Sequence, residues 1–177
     1  MDNHYSIEKI YDRWGNFYDI VFKKVFSEGR NVGVELLQLK SDEQLLEVGV
    51  GTGLSLPLYP NSSKIIGIDI SSKMLEKAEE KVKDLHLGNV DLSVMNAQEM
   101  EFPDNTFDCV TACYVVSAAP DPQKVVSEIC RVCKPNGRIV FINHFKSQNF
   151  LLAKFEELIN GACKKIGWER VRSYWNR

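Results

Sequence analysis

Short apolar runs alternate with amphipathic helical stretches, a glycine cluster follows the first such run, and an aspartate closes the second. Together these place the chain among α/β proteins with a doubly wound, mostly parallel sheet. Parallel neighbours need long crossovers, and strand-like and helix-like segments alternate along this chain in the way such crossovers require. With 177 residues, 44% of them hydrophobic and 26% charged, the chain has room for one domain with a real core.

The elements follow in order. Tyr11, Trp14, Phe17, Tyr18, Val21, Phe22, Val25 and Phe26 recur at spacings of three and four, which predicts an amphipathic helical region over the first forty residues. Such an aromatic stripe packs on its own domain or serves as a lid. Residues 44–49 and 64–70 read as buried strands. Ser71 or Ser72 can cap a helix reaching Leu85, on which Glu76 and Glu80 stand at turn spacing from Lys73, Lys77 and Lys81. Strands are predicted at 90–94, 107–114 and 138–143, and a helix at 122–133 closed by Pro135-Asn136-Gly137. A last amphipathic helix is predicted at 150–166, followed by a short basic tail. The expected organisation is a single domain over 1–177: a helical lid and candidate membrane-contact segment at 1–40, a core at 41–145, and a C-terminal helix and tail at 146–177.

The net charge of −2 provides no field that would draw the chain to nucleic acid. The charge is uneven, however. The middle of the chain is acid-rich and residues 144–177 are basic, so the end can touch an anionic surface. Five cysteines and a polar start point to the reducing cytoplasm. The apolar run at 109–119 is well short of the ~20 residues a membrane crossing needs, so membrane contact is expected to be peripheral. Cys130 and Cys133 have redox or half-zinc spacing without a second ligand pair, which favours core packing.

The chemistry is concentrated in Glu47-Val48-Gly49-Val50-Gly51-Thr52-Gly53. Glycines straight after a strand let the backbone turn tightly and approach a ligand. A dinucleotide fingerprint would place its third glycine at position 54, where this chain has leucine, so the spacing points away from NAD. Asp69 ends the second strand-like run and is the expected acceptor of hydrogen bonds from both hydroxyls of a ribose. Loop and acid together indicate an adenosine-type cofactor.

Glu47 with Gly49, Gly51 and Gly53, then Asp69, Asn96-Ala97 and Pro135-Asn136-Gly137, occur in the order that resembles the class I S-adenosylmethionine-dependent methyltransferases, whose fold is Rossmann-like. The resemblance covers roughly residues 44–144. It implies S-adenosyl-L-methionine as cofactor, no metal, and a cofactor site built from Glu47, Gly49, Gly51, Gly53, Asp69, Ile70, Asn96, Ala97 and Tyr114. One departure is that Asn96 stands where the family usually has aspartate. Its side-chain carbonyl still accepts a hydrogen bond from the adenine amino group, more weakly without the charge. The family's sheet ends in an antiparallel strand pair, and this chain is expected to lack that C-terminal hairpin.

The flanks narrow the resemblance. Tyr11-Asp12-Arg13-Trp14, Tyr18-Asp19-Ile20-Val21-Phe22, the segment from Val48 through Leu56-Pro57-Leu58-Tyr59-Pro60, and Asn143-His144-Phe145 resemble the soluble, peripherally bound bacterial phosphatidylethanolamine N-methyltransferases. That implies a phospholipid amine as acceptor, with Tyr18 and Tyr114 offering aromatic faces to the ammonium and His144 taking its proton or meeting the lipid phosphate. The alternatives are a C-methyltransferase of quinone synthesis, an enzyme acting on a soluble small molecule, and a cofactor-binding but inactive chain.

Overall fold

The computed structural model describes residues 27–142. Among these, strands β1 (Gln44–Val48), β2 (Lys64–Asp69), β3 (Val90–Val94), β4 (Phe107–Cys113) and β5 (Cys133–Ile142) form one sheet in the order β3-β2-β1-β4-β5. Every neighbouring pair is parallel. Helices α1 (Ser27–Leu37), α2 (Ser72–Asp84) and α3 (Pro122–Val132) flank it. The rest of the predicted N-terminal helical region and the predicted helix at 150–166 lie outside the described residues.

Alternate side chains on each strand divide the core into two layers. Leu45, Ile65, Cys109 and Val140 pack with Leu37 of α1 and with Leu75 and Ala78 of α2. Their sequence neighbours Leu46, Val110 and Ile139 pack with Val125, Val126 and Ile129 of α3. The central strand β1 is covered on both faces and reads as a continuous apolar run interrupted only by Glu47. Each fully buried Leu, Ile or Val contributes about 1.5–3 kcal/mol relative to exposure. Cys130 and Cys133 belong to the α3 layer, both buried.

Capping explains where the helices start. The Ser71 side chain accepts a hydrogen bond from the Met74 amide at 3.3 Å and so caps α2. Asp121 caps α3 by accepting from the amides of Gln123 and Lys124, with Pro122 in the first turn. The alternation of strand and helix is less regular than expected, because only the β2–β3 and β4–β5 connections carry an α-helix. The β1–β2 connection makes a single 3-10 turn at Leu56–Leu58. Tyr59 there is extended, with φ −81° and ψ 147°, as a residue preceding proline must be, and the helix cannot continue. Residues 95–106 cross from β3 to β4 without a helix.

The Pro135-Asn136-Gly137 segment also differs from expectation. Helix α3 ends at Val132, and Cys133 is already extended. The three residues bulge within β5: Cys133 pairs with Phe107 while Arg138 pairs with Cys109. Asn136 takes the left-handed conformation at φ 63°, which asparagine tolerates well.

Arg138, just after that bulge, ties α1 to the sheet. Its Nε donates to the Leu37 carbonyl at 2.7 Å, and its Nη2 donates to the Glu43 carboxylate and to Cys109 Sγ at 2.9 Å. Arg138→Ala removes the donor to the Leu37 carbonyl and Cys109 Sγ and leaves the Glu43 carboxylate only the Lys40 amide and the Cys109 thiol. We expect a loss of about 2–3 kcal/mol in unfolding free energy, read by urea denaturation. A change within error would show that α1 is held by its apolar contacts alone.

Candidate active site

In an open parallel sheet the loops part where the strand order reverses, leaving a crevice beyond the carboxyl ends of the strands. Here the reversal lies between β1, followed by β2 on one side, and β4 on the other. A cavity of about 180 Å³ opens there. Glu47, Gly49, Gly51, Asp69, Ile70, Asn96, Ala97 and Tyr114 all line it, although they come from four separate stretches of chain. Gly53 does not line the cavity.

The three loop glycines have positive φ values of 70°, 56° and 71°, and their surroundings separate their roles. A Cβ on Gly49 would collide with Val115, so this position lets the loops after β1 and β4 close on each other. A Cβ on Gly53 would come within 2.7 Å of Leu56 and 3.1 Å of the Ala78 side chain on α2, so that glycine serves loop–helix packing. Gly51 alone would meet nothing within 4 Å, and its open side is available to a ligand. The loop is pinned from outside as well: Lys81 on α2, expected only to pair along a solvated face, donates its Nζ to the Thr52 carbonyl at 2.6 Å.

Asp69 organises the next stretch. Its Oδ2 accepts from the Gly51 amide at 2.8 Å and its Oδ1 from the Ser71 amide at 2.9 Å. Each carboxylate oxygen keeps a further lone pair, so two more donors can be accepted side by side. Burial raises its pKa, opposed by the backbone amides of Ser71, Gly51 and Ile70. Ile70 is 40% exposed and offers an apolar surface at the cavity wall. Across from it the Asn96 side-chain carbonyl already accepts from the Gln98 amide at 3.0 Å, leaving one lone pair for a ligand. The buried Gln98 in turn accepts from the Asp121 amide at 2.8 Å, linking this loop to the cap of α3.

Glu47 is 2% exposed. Burial lifts its carboxyl to about 7, against the hydrogen bonds of Ser55 and Tyr59 and the charge of Arg30. Ser55 donates its hydroxyl to Oε1, while Oε2 has no hydrogen-bond partner among the described residues. A buried acceptor left open at a cavity wall is costly unless a ligand supplies the donor.

Tyr114 lines the same cavity immediately after β4, at φ 62°. A bulky residue in this left-handed conformation is rare and marks sites of function or strain. Burial raises its hydroxyl pKa, with a further push from Cys113 and relief from Arg30. Sequence reasoning overlooked Arg30 and Cys113, both of which line the cavity. Burial pushes the Cys113 thiol up to about 12, so it presents a neutral surface. Arg30 was hidden in a helix read only by its apolar stripe. Ser55 and Tyr59 fall in the segment that carried the narrower resemblance, although nothing in their spacing indicated a bond to Glu47. Tyr18 and His144 lie outside the described residues.

Glycine loop, strand-end acid and cavity lie together, and the residues fit an adenosyl group: an open backbone at Gly51, two acceptor oxygens on Asp69 and an apolar surface at Ile70. The sequence matches the methyltransferase-domain family over residues 46–141. It is 42% identical over 164 residues to the phosphatidylethanolamine N-methyltransferase of Cereibacter sphaeroides, covering 92% of this chain and 80% of that protein. It is 33% identical over 142 residues to a demethylmenaquinone methyltransferase of Geobacillus sp., covering 77% of this chain and 60% of that one. Against that second relative, then, the chain spans less than two thirds of the length. A crystal structure of an S-adenosylmethionine-dependent methyltransferase from Aquifex aeolicus shares the fold, with a TM-score of 0.65 at 21% identity, covering 90% of this chain and 87% of that one.

The chain belongs to the methyltransferase-domain family and is a class I S-adenosylmethionine-dependent methyltransferase. Within that class it is similar to the bacterial phosphatidylethanolamine N-methyltransferases.

Proposed function

We propose that this enzyme methylates the amine of phosphatidylethanolamine and of its partly methylated products. The observation carrying this reading is the 42% identity with the Cereibacter sphaeroides protein, which extends over 80% of that relative's length. S-adenosylmethionine, when bound, supplies a methyl carbon made electrophilic by its sulfonium. The residues of the chain bind, align and exclude water. Asp69 accepts from the two ribose hydroxyls, Asn96 from the adenine amino group with Ala97 beside it, and Ile70 packs on the base. Gly49 and Gly51 bring the backbone close to the ligand, and Glu47 offers its open Oε2 to a donor.

An attacking amine must arrive without its proton, and alignment of the reacting atoms can supply about 7–11 kcal/mol of the barrier reduction. We assign the proton to His144, because imidazole is the side chain suited to exchanging a proton near neutral pH. Tyr114 and Tyr18 offer ring faces to the ammonium as it forms, each worth about 0.5–2 kcal/mol. The chain acts as one domain, with 1–40 as lid and membrane contact and 146–177 as the basic end, on the cytoplasmic face of a membrane. Among the described residues no helix is long and apolar enough to cross a membrane.

Incubation with labelled S-adenosylmethionine and phosphatidylethanolamine liposomes, followed by lipid separation, tests this reading. Labelled mono-, di- or trimethylated lipid is expected. In a parallel incubation with demethylmenaquinone as acceptor, label in the methylated quinone with none in lipid would overturn the lipid assignment in favour of the quinone pathway. Retained binding of S-adenosylhomocysteine without transfer to any acceptor would mark the chain as inactive.

A further inference from the structure

Helix α1 carries two interior glycines, Gly29 and Gly33, where alanine would form a better helix. Contacts explain both. A Cβ on Gly29 would collide with the Tyr114 hydroxyl, with Tyr114 Cζ at 3.5 Å and Ile142 Cγ2 at 3.4 Å. A Cβ on Gly33 would meet only Ile142. The two sites differ in what has to move. Ile142 presents the end of a flexible chain at the last residue of β5, and it is not among the residues lining the cavity.

Tyr114 has less freedom. Its backbone is held at φ 62°, and its amide donates to the Ile142 carbonyl at 2.6 Å. With the main chain fixed, the Cα–Cβ direction is fixed too, and the ring can give way only by turning about its side-chain torsions. Those torsions decide how the ring faces the cavity it lines.

We propose that Gly29 is a positioning residue for Tyr114: the missing side chain on α1 is the socket that seats the tyrosine hydroxyl and sets the ring in the cavity wall. Gly29 touches no reacting group and acts through Tyr114 alone. The inference rests on the proposed role of Tyr114 as an acceptor-facing aromatic only for its effect on lipid methylation. The socket itself is read from contacts.

The test is a double-mutant cycle on the full chain with Gly29→Ala and Tyr114→Phe, and with Gly33→Ala as the helix control. Gly29→Ala is expected to lower kcat/KM for phosphatidylethanolamine by about tenfold, while Gly33→Ala stays within about twofold of the parent. In the Tyr114→Phe background, which removes the atom that clashes, Gly29→Ala should change kcat/KM by less than about twofold. The thermal midpoint and S-adenosylhomocysteine affinity of all variants are read alongside. If Gly29→Ala alone fails to fold, its rescue by Tyr114→Phe in the thermal midpoint supports the socket. If lipid is not a substrate of the parent, coupling between positions 29 and 114 in S-adenosylhomocysteine affinity supports the positioning role and removes only the lipid assignment. A Gly29→Ala penalty that persists unchanged beside phenylalanine, or a Gly29→Ala protein as active as Gly33→Ala, overturns the proposal.

Discussion

Asp69→Ala weakens binding of S-adenosylhomocysteine by about 1.5–3 kcal/mol, roughly ten- to hundredfold in Kd. The size follows from how much one carboxylate is asked to hold. Its two oxygens already accept the amides of Gly51 and Ser71 at 2.8 and 2.9 Å. These bonds orient it so that the remaining lone pairs can meet two vicinal hydroxyls. Removing the carboxylate deletes the ligand contacts and releases the Gly51 amide that shapes the open part of the loop. Asp69→Asn keeps one acceptor oxygen and puts a donor against an amide, so its affinity should fall between the parent and the alanine variant. Calorimetric titration across the three proteins checks the order. An affinity unchanged by Asp69→Ala would remove Asp69 from the ribose site.

Glu47→Gln changes the pH dependence of stability in the unliganded protein. The carboxyl titrates near 4.5 when unfolded and is raised by burial to about 7 when folded. Between these values the folded chain keeps a proton that the unfolded chain releases, so stability falls as pH rises through this window and levels off above it. Below about 4.5 both states hold the proton and the contribution is fully present. The total is about 3 kcal/mol. Carboxylates with lowered values, such as Glu43 and Asp108 beside Arg138 and Lys134, act in the opposite direction and at lower pH. They remain in both proteins and cancel in the comparison. Urea denaturation from pH 5 to 8 should therefore show the glutamine variant gaining on the parent as pH rises. A constant difference would mean that Glu47 titrates at an ordinary value.

The two effects share a cause. The cavity is lined by groups whose polar needs the protein meets only in part: an open oxygen on Glu47 and spare lone pairs on Asp69 and Asn96. Such groups are tolerated when ligand binding repays their desolvation, and they are where a stable fold and a functional fold diverge.

What could be read in advance was whatever local chemistry dictates. The β-branched run at 64–70, the strand-like run at 107–114, the glycines at alternate positions and the aspartate ending the second strand each carry their meaning within a few residues. So did the caps: Ser71 and the helix opening at Pro122 were legible because capping depends only on neighbours. The proline-driven break at Tyr59-Pro60 was equally local but was masked by the expectation of regular alternation.

The rest depended on residues far apart in sequence. That Glu47 is buried with one oxygen open follows from Ser55, Tyr59 and Arg30 converging on it, and no spacing rule encodes that convergence. Lys81 looked like one member of a charged face until α2 packed beside the loop and brought its ammonium to the Thr52 carbonyl. The glycine motif by itself told only that the backbone must turn left-handed three times. Packing decided that Gly53 meets Leu56 and α2, that Gly49 meets Val115, and that Gly51 keeps open space beside it. Sequence determined the class of this protein because cofactor loops and strand patterns are short-range. Tertiary structure alone assigned the tasks within the site, because steric room, burial and unmet hydrogen bonds exist only once distant segments share a surface.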